Sequence, residues 1–163
     1  MILFLDFDGV LHPWCSPRSE YFCYLPRLEA VLRDYSQVEI VICSDWRLSF
    51  SLSQQRRHFS DDIARRVVGQ TQCLDDGSLN QDGLRRREAL AYLERTGSPN
   101  RSWCALDDRM DLWYPEEPRI IHCPDQFDER EEKLLRRIIQ EAFTEANSNT
   151  DDKSISSNDG NNT

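Results

Sequence analysis

Lysine is nearly missing from this chain: of its 20 basic residues, only Lys133 and Lys153 are not arginine. Positive charge is in deficit overall, with 20 Lys and Arg against 29 Asp and Glu and a formal charge of −9. Proteins that wrap duplex nucleic acid carry a dominant basic footprint, so that class is excluded; a local basic site on an acidic body is not. Long apolar runs are lacking too, and none approaches the 18 residues of a membrane span. The opening Met1-Ile2-Leu3-Phe4-Leu5-Asp6 has no basic n-region and meets an acid after five residues. That predicts a chain without a signal peptide, in the cytoplasm. Cysteines number six (Cys15, Cys23, Cys43, Cys73, Cys104 and Cys123), with no Cys-x-x-Cys pair and no His at zinc-finger spacing. They read as reduced thiols serving as small apolar side chains rather than as a disulfide framework or zinc site.

What is present is one domain's worth of chain, 163 residues, enough to build a core without staples. Four apolar runs stand out: residues 2–7, residues 38–43, Trp103 to Leu106, and Arg119 to Cys123. They are continuous rather than alternating, which predicts strands buried on both faces, as in a parallel sheet. Helical spacing recurs between them. Leu25, Leu28, Val31, Leu32 and Tyr35 fall on one stripe, and residues 49–68 suggest two short helices, over 54–59 and from Asp61 or Asp62 to Val67. A further helix is expected over 84–95, its stripe read through Leu84, Ala89, Leu90, Ala91 and Leu93, with Gly97 as the stop. The last is expected over 129–146, with Leu134, Leu135, Ile138, Ile139, Ala142 and Phe143 inward. This alternation predicts an α/β fold, a Rossmann-like three-layer α/β/α sandwich around a mostly parallel sheet. Residues 11–24 carry Pro13 and Pro17 and no stripe, and read as an irregular flap. From Asn147 the chain turns to Asn, Ser, Thr and Asp with one isolated Ile, so the domain is set at 1–146 and 147–163 is expected to be a disordered polar tail.

Three of the expected strands end at acids. Asp6 and Asp8 follow the first, Ser44 and Asp45 the second, Asp107 and Asp108 the third. Open α/β sheets place ligands beyond the carboxyl ends of their strands. Two residues apart on extended chain, Asp6 and Asp8 share a side, and Gly9 lets the backbone turn sharply against a ligand. Carboxylates gathered in one crevice repel one another unless a proton or divalent cation relieves them, and hard oxygen ligands suit magnesium.

On these residues the sequence resembles the haloacid dehalogenase-like (HAD) phosphohydrolase superfamily. Asp6-Phe7-Asp8-Gly9-Val10-Leu11 is similar to its first motif, Ser44 to its second, Arg86 to the basic third, and Asp107-Asp108 to the fourth, with Asp111 where some members carry another acid. Ser44-Asp45-Trp46-Arg47 and Val67-Val68-Gly69-Gln70-Thr71 further resemble small stand-alone HAD domains related to those of bacterial RNA-repair proteins. With only residues 45–85 between Ser44 and Arg86, no large cap domain fits.

The resemblance implies a magnesium-dependent phosphatase acting through an aspartyl-phosphate. Asp6 would be the nucleophile, and Asp8 the acid and then the base. Mg2+ would be held by Asp6, the main-chain carbonyl of Asp8 and Asp107, with Asp108 positioning a ligand or water. Ser44 would hydrogen-bond a phosphoryl oxygen, and Arg86 would neutralise charge, although the run Arg85-Arg86-Arg87 leaves the register open by one position. An uncapped site implies a bulky phosphorylated substrate, such as a nucleic-acid end. The alternative is a non-catalytic HAD scaffold that binds a partner.

Several residues have plainer readings beside these. Arg47 either binds substrate phosphate or pairs with Asp45 or another acid. Arg56-Arg57 and Arg65-Arg66 read as surface ion pairs before a nucleic-acid track. Surface or core places are favoured for His12, His58 and His122, with His12 and Trp14 of the flap also within reach of a substrate. Trp46, Trp103 and Trp113 read as core or rim residues.

Overall fold

A computed structural model describes residues 1–75, 77, 81–114 and 116–155. Five strands, β1 (Ile2–Leu5), β2 (Glu39–Ile42), β3 (Val67–Gln70), β4 (Trp103–Asp107) and β5 (Ile120–His122), form one sheet in the order β3-β2-β1-β4-β5. Every pairing is parallel. The α-helices among the described residues are α1 (Leu25–Asp34), α2 (Leu52–Arg56), α3 (Asp61–Ala64), α4 (Leu84–Arg95) and α5 (Glu129–Ile155). No segment between described elements is large enough to be a cap domain.

Both faces of the sheet are covered, and the central strand shows why the run is continuously apolar. Leu3 and Leu5 pack into one core with Leu28, Val31 and Leu32 of α1, Ile63 of α3, and Leu135 and Ile139 of α5. Ile2 and Phe4 pack into the other with Ala89, Tyr92 and Leu93 of α4 and with Trp103 and Trp113. Phe4 meets Tyr92 and Trp103 edge to face, at 6.1 and 5.6 Å between ring centres. Alternate residues of β1 thus feed opposite layers, and all four are buried. The Rossmann-like α/β/α expectation is met.

The strand β3 lies where the sequence reading carried a helix to Val67. It is a short edge strand, and its alternating burial carries too few apolar residues to announce itself. Gly69 belongs there because Tyr92 lies across it: a Cβ would fall 2.4 Å from the tyrosine oxygen. Arg66 closes the neighbouring corner, donating to the carbonyls of Leu32 (2.6 Å), Tyr35 (2.7 Å) and Val38 (2.6 Å). Arg56 likewise donates to the Val67 carbonyl at 2.7 Å. One arginine of each expected surface pair is therefore spent on the main chain. The α5 helix continues past Asn147 to Ile155, beyond the boundary set at residue 146. The rest of the expected tail, 156–163, lies outside the described residues.

Candidate active site

The strand register assembles the site. Leu5 is level with Ile42 on one side and Leu106 on the other. The residues that follow, Asp6, Cys43-Ser44 and Asp107-Asp108, therefore emerge side by side at the carboxyl edge. This is where the strand order reverses, β1 leading out to β2 and β4 lying on its other flank, the usual place for a ligand in an open α/β sheet. Main-chain bonds from Asp6 N to the Leu106 carbonyl (3.1 Å) and from Cys43 N to the Leu5 carbonyl (3.0 Å) extend the ladder to its rim.

Asp6, Asp107 and Asp108 each offer a carboxylate oxygen within 4.8 Å of the others. Asp6 and Asp107 are buried, at 3% and 0% exposure. Burial, reinforced by the charge of Asp6, pushes the Asp107 carboxyl up to about 7. The same two causes push Asp108 up to about 6. Asp107 nevertheless has three donors: Arg85 at 2.5 Å, the Trp113 indole at 2.7 Å and Arg109 N at 2.8 Å. Desolvation and like charge outweigh them. Asp6 Oδ1 is buried with no hydrogen-bond partner. An unpaired buried carboxylate oxygen among crowded acids is what a hard divalent cation would satisfy, and an all-oxygen donor set suits one.

Gly9 closes the distance between the first and fourth motifs. Its φ is +73°, and a Cβ there would lie 2.7 Å from Asp108 Oδ2. Both the left-handed backbone and the close approach require glycine. His122 supports the far side, Nε2 donating to the Asp108 carbonyl at 3.1 Å.

The positive charge on this cluster comes from Arg85, not Arg86. Arg85 Nη1 lies 3.0 Å from Asp6 Oδ2 and 2.5 Å from Asp107 Oδ2, with the side chain 5% exposed. Burial works against its charge, but Asp6 and Asp107 hold the guanidinium firmly protonated. Arg86 points elsewhere, pairing with Glu117 at 3.1 Å beside Tyr114. The buried stripe of α4 is Leu84-Arg85, Glu88-Ala89 and Tyr92-Leu93. Reading the stripe through Leu90 and Ala91 instead shifts its phase, because two of the inward residues are charged. Working back from Ala89 by four reaches Arg85, the signal that could have found it.

Arg47, a candidate phosphate ligand, is taken up inside the protein. Its Nη2 meets Glu88 Oε2 at 2.6 Å, and its Nη1 donates to the Cys43 carbonyl at 2.6 Å and to Asp45 at 3.0 Å. The plainer ion-pair reading is the one the geometry gives. Glu88 also accepts from Leu74 N at 3.0 Å, so the pair joins α4, the end of β2 and the segment after β3. Ser44 is buried at the start of a 3₁₀ turn over Asp45–Leu48, its Oγ accepting from Trp46 N at 3.4 Å. Asp111 forms an exposed bidentate pair with Arg109, at 2.9 and 2.7 Å, and is not part of the acidic cluster.

Asp8 stands beside the cluster with partners the sequence did not announce. His12 Nε2 reaches Oδ1 at 3.0 Å and the Trp46 indole reaches Oδ2 at 2.8 Å. His12 leads in holding the Asp8 carboxyl below its usual value, with Trp46 helping and partial burial opposing. His12 is fully buried and its Nδ1 has no partner, so Asp8 is the one group its ring meets through a nitrogen. A tight main-chain loop makes this possible, Gly9 N donating to the His12 carbonyl at 2.9 Å. The flap spacing of four residues, Asp8 to His12, was the available sign.

No helix among the described residues is long and apolar enough to cross a membrane. No curated protein matches the sequence. The family model for the HAD domain in Swiss Army Knife RNA repair proteins matches residues 2–144, nearly the whole domain with its strand-end acids. The chain belongs to that family, and its scaffold is that of a HAD-type phosphohydrolase.

Proposed function

We propose that this chain is a magnesium-dependent phosphatase that hydrolyses a phosphomonoester through an aspartyl-phosphate, with the end of a nucleic-acid strand as the favoured substrate. The observation that carries the reading is the meeting of Asp6, Asp107 and Asp108 around one point, beside Arg85 and Asp8. Asp6, Asp107, Asp108 and the Asp8 carbonyl would hold Mg2+, which supplies charge neutralisation to the phosphoryl group when bound.

Asp6 attacks phosphorus in line as the ester P–O bond breaks, and the alcohol or phenol leaves. Arg85 offsets the repulsion between the anionic nucleophile and the anionic ester. Ser44, at the same sheet edge, hydrogen-bonds a phosphoryl oxygen. Asp8 protonates the leaving oxygen and then takes a proton from the water that hydrolyses the intermediate. Its resting state, held as a carboxylate by His12 and Trp46, suits the second half. A bound phosphate dianion nearby raises its proton affinity for the first half. The strand-end substrate is supported by the absence of a cap and by the RNA-repair proteins for which the family is described. Six free cysteines agree with a reducing compartment such as the cytoplasm.

The test is phosphate release from an aryl phosphate with and without Mg2+, alongside Asp6→Asn and Asp8→Asn. Magnesium-dependent turnover lost in Asp6→Asn is expected. Turnover that survives Asp6→Asn removes the assigned nucleophile. Absence of turnover on any monoester while Mg2+ binds would turn the scaffold into a binding protein.

A further inference from the structure

Trp46 does more than hold Asp8. Its indole ring is flanked by Tyr21, 5.5 Å away between ring centres, and by Phe50, 5.3 Å away. Both flanking rings reach the surface, Tyr21 at 38% and Phe50 at 42% exposure. Behind them the aromatic packing is continuous: Phe7 and Phe22 meet Trp46 edge to face at 5.8 and 5.4 Å, and Phe22 stacks on His58 at 4.1 Å. Tyr21 also lies 4.8 Å from His12, tilted by 33°. The protein therefore carries a supported aromatic wall that starts at the Asp8 carboxylate and ends in two exposed rings. Leaving such rings wet forfeits burial, and large exposed aromatics gathered beside a site mark a ligand surface.

We propose that Tyr21, Trp46 and Phe50 form a stacking subsite for the terminal nucleobase of the phosphorylated strand end. This rests on the phosphatase reading and names what lies next to the phosphate. With the ester oxygen at Asp8, the sugar falls against Trp46 and the base reaches the outer rings. Stacking needs no basic track and tolerates any base, which agrees with a net charge of −9. It also agrees with Arg56 and Arg66, two of the arginines outside the site, being committed to main-chain carbonyls. The subsite thus reads one terminal nucleotide rather than a length of strand.

The experiment compares kcat/KM in Mg2+ for a short RNA phosphorylated at one end, each end in turn, with the same RNA whose terminal nucleotide is abasic. Loss of the base is expected to lower kcat/KM at least about tenfold. Tyr21→Leu and Phe50→Leu, which keep apolar bulk but lose the π face, should shrink that ratio toward one, and Tyr21→Phe should retain it. Equal values for the two RNAs in the wild type, or an unchanged ratio in both Leu variants, overturns the subsite. So does a tyrosine-phosphorylated peptide turned over better than either RNA, which would give the wall to an aryl ester. Binding of the same RNAs to Asp6→Asn, followed by anisotropy of a dye at the far end, separates this from the catalytic reading. Base-dependent binding to Asp6→Asn while the wild type releases no phosphate from either RNA sinks the phosphatase and keeps the subsite. Turnover without base dependence does the reverse.

Discussion

Arg85 and Arg86 are neighbours in sequence and about 100° apart around α4, enough to send one to the acids and the other to Glu117. Replacing Arg85 with Ala should lower kcat by about a hundredfold or more, the usual loss when a group that offsets transition-state charge is removed. Arg86→Ala should change kcat by no more than about twofold, since its partners, Glu117 and Tyr114, are outside the cluster. Steady-state rates on an aryl phosphate decide between them; the reverse order would return the third-motif role to Arg86. The residue types at the site were legible in the sequence, because acids closing apolar strands are hard to explain otherwise. The arginine register was not, because a charged residue hides its place on a buried stripe. His12 and Trp46 were hidden for another reason: their value lies in reaching Asp8, and reach is a property of the loop.

At the scale of elements, the Arg47–Glu88 pair braces α4 against the end of β2. Its side chains are 4% and 0% exposed and separated by 2.6 Å. A buried pair is weak evidence for net stability, but removing one partner strands the other charge in the interior. Arg47→Ala or Glu88→Ala should therefore cost about 3–5 kcal/mol. The double variant Arg47→Met with Glu88→Leu should recover most of it. Urea unfolding of the three proteins tests this, and two mild single variants would show that water reaches the pair. The same contact corrects the view of Arg47 as a phosphate ligand. Sequence could pair it with an acid, as it did with Asp45, but not choose Glu88, 41 positions away. Among elements, the four continuous apolar runs were plain, whereas β3 was missed because an edge strand needs only half an apolar face.

The molecule as a whole pays for its acidic centre. With burial and Asp6 raising Asp107 to about 7 and Asp108 to about 6, the folded metal-free chain keeps protons that the unfolded chain has already released. Their contribution to stability therefore falls as pH rises from the ordinary carboxylate value of 3.8 to about 7, and levels off above that. In a chelator, the melting temperature of the wild type should drop more between pH 5 and pH 8 than that of Asp107→Asn. Added Mg2+ should raise the wild-type value more at pH 8 than at pH 5, since cation and proton compete for the same oxygens. Parallel pH profiles for the two proteins would count against the raised Asp107 carboxyl, and no response to Mg2+ against a cation among these acids.

The sequence by itself determined the alternating α/β plan, the parallel sheet and the acids at its strand ends. Each follows from local rules: which residues are apolar, at what period, and what stops the run. The tertiary structure decided which arginine meets those acids, that Arg47 lies inside, and that His12 and Trp46 attend Asp8. Those outcomes depend on strand register, helix phase and loop closure, which join residues tens of positions apart and leave no periodic trace in the chain.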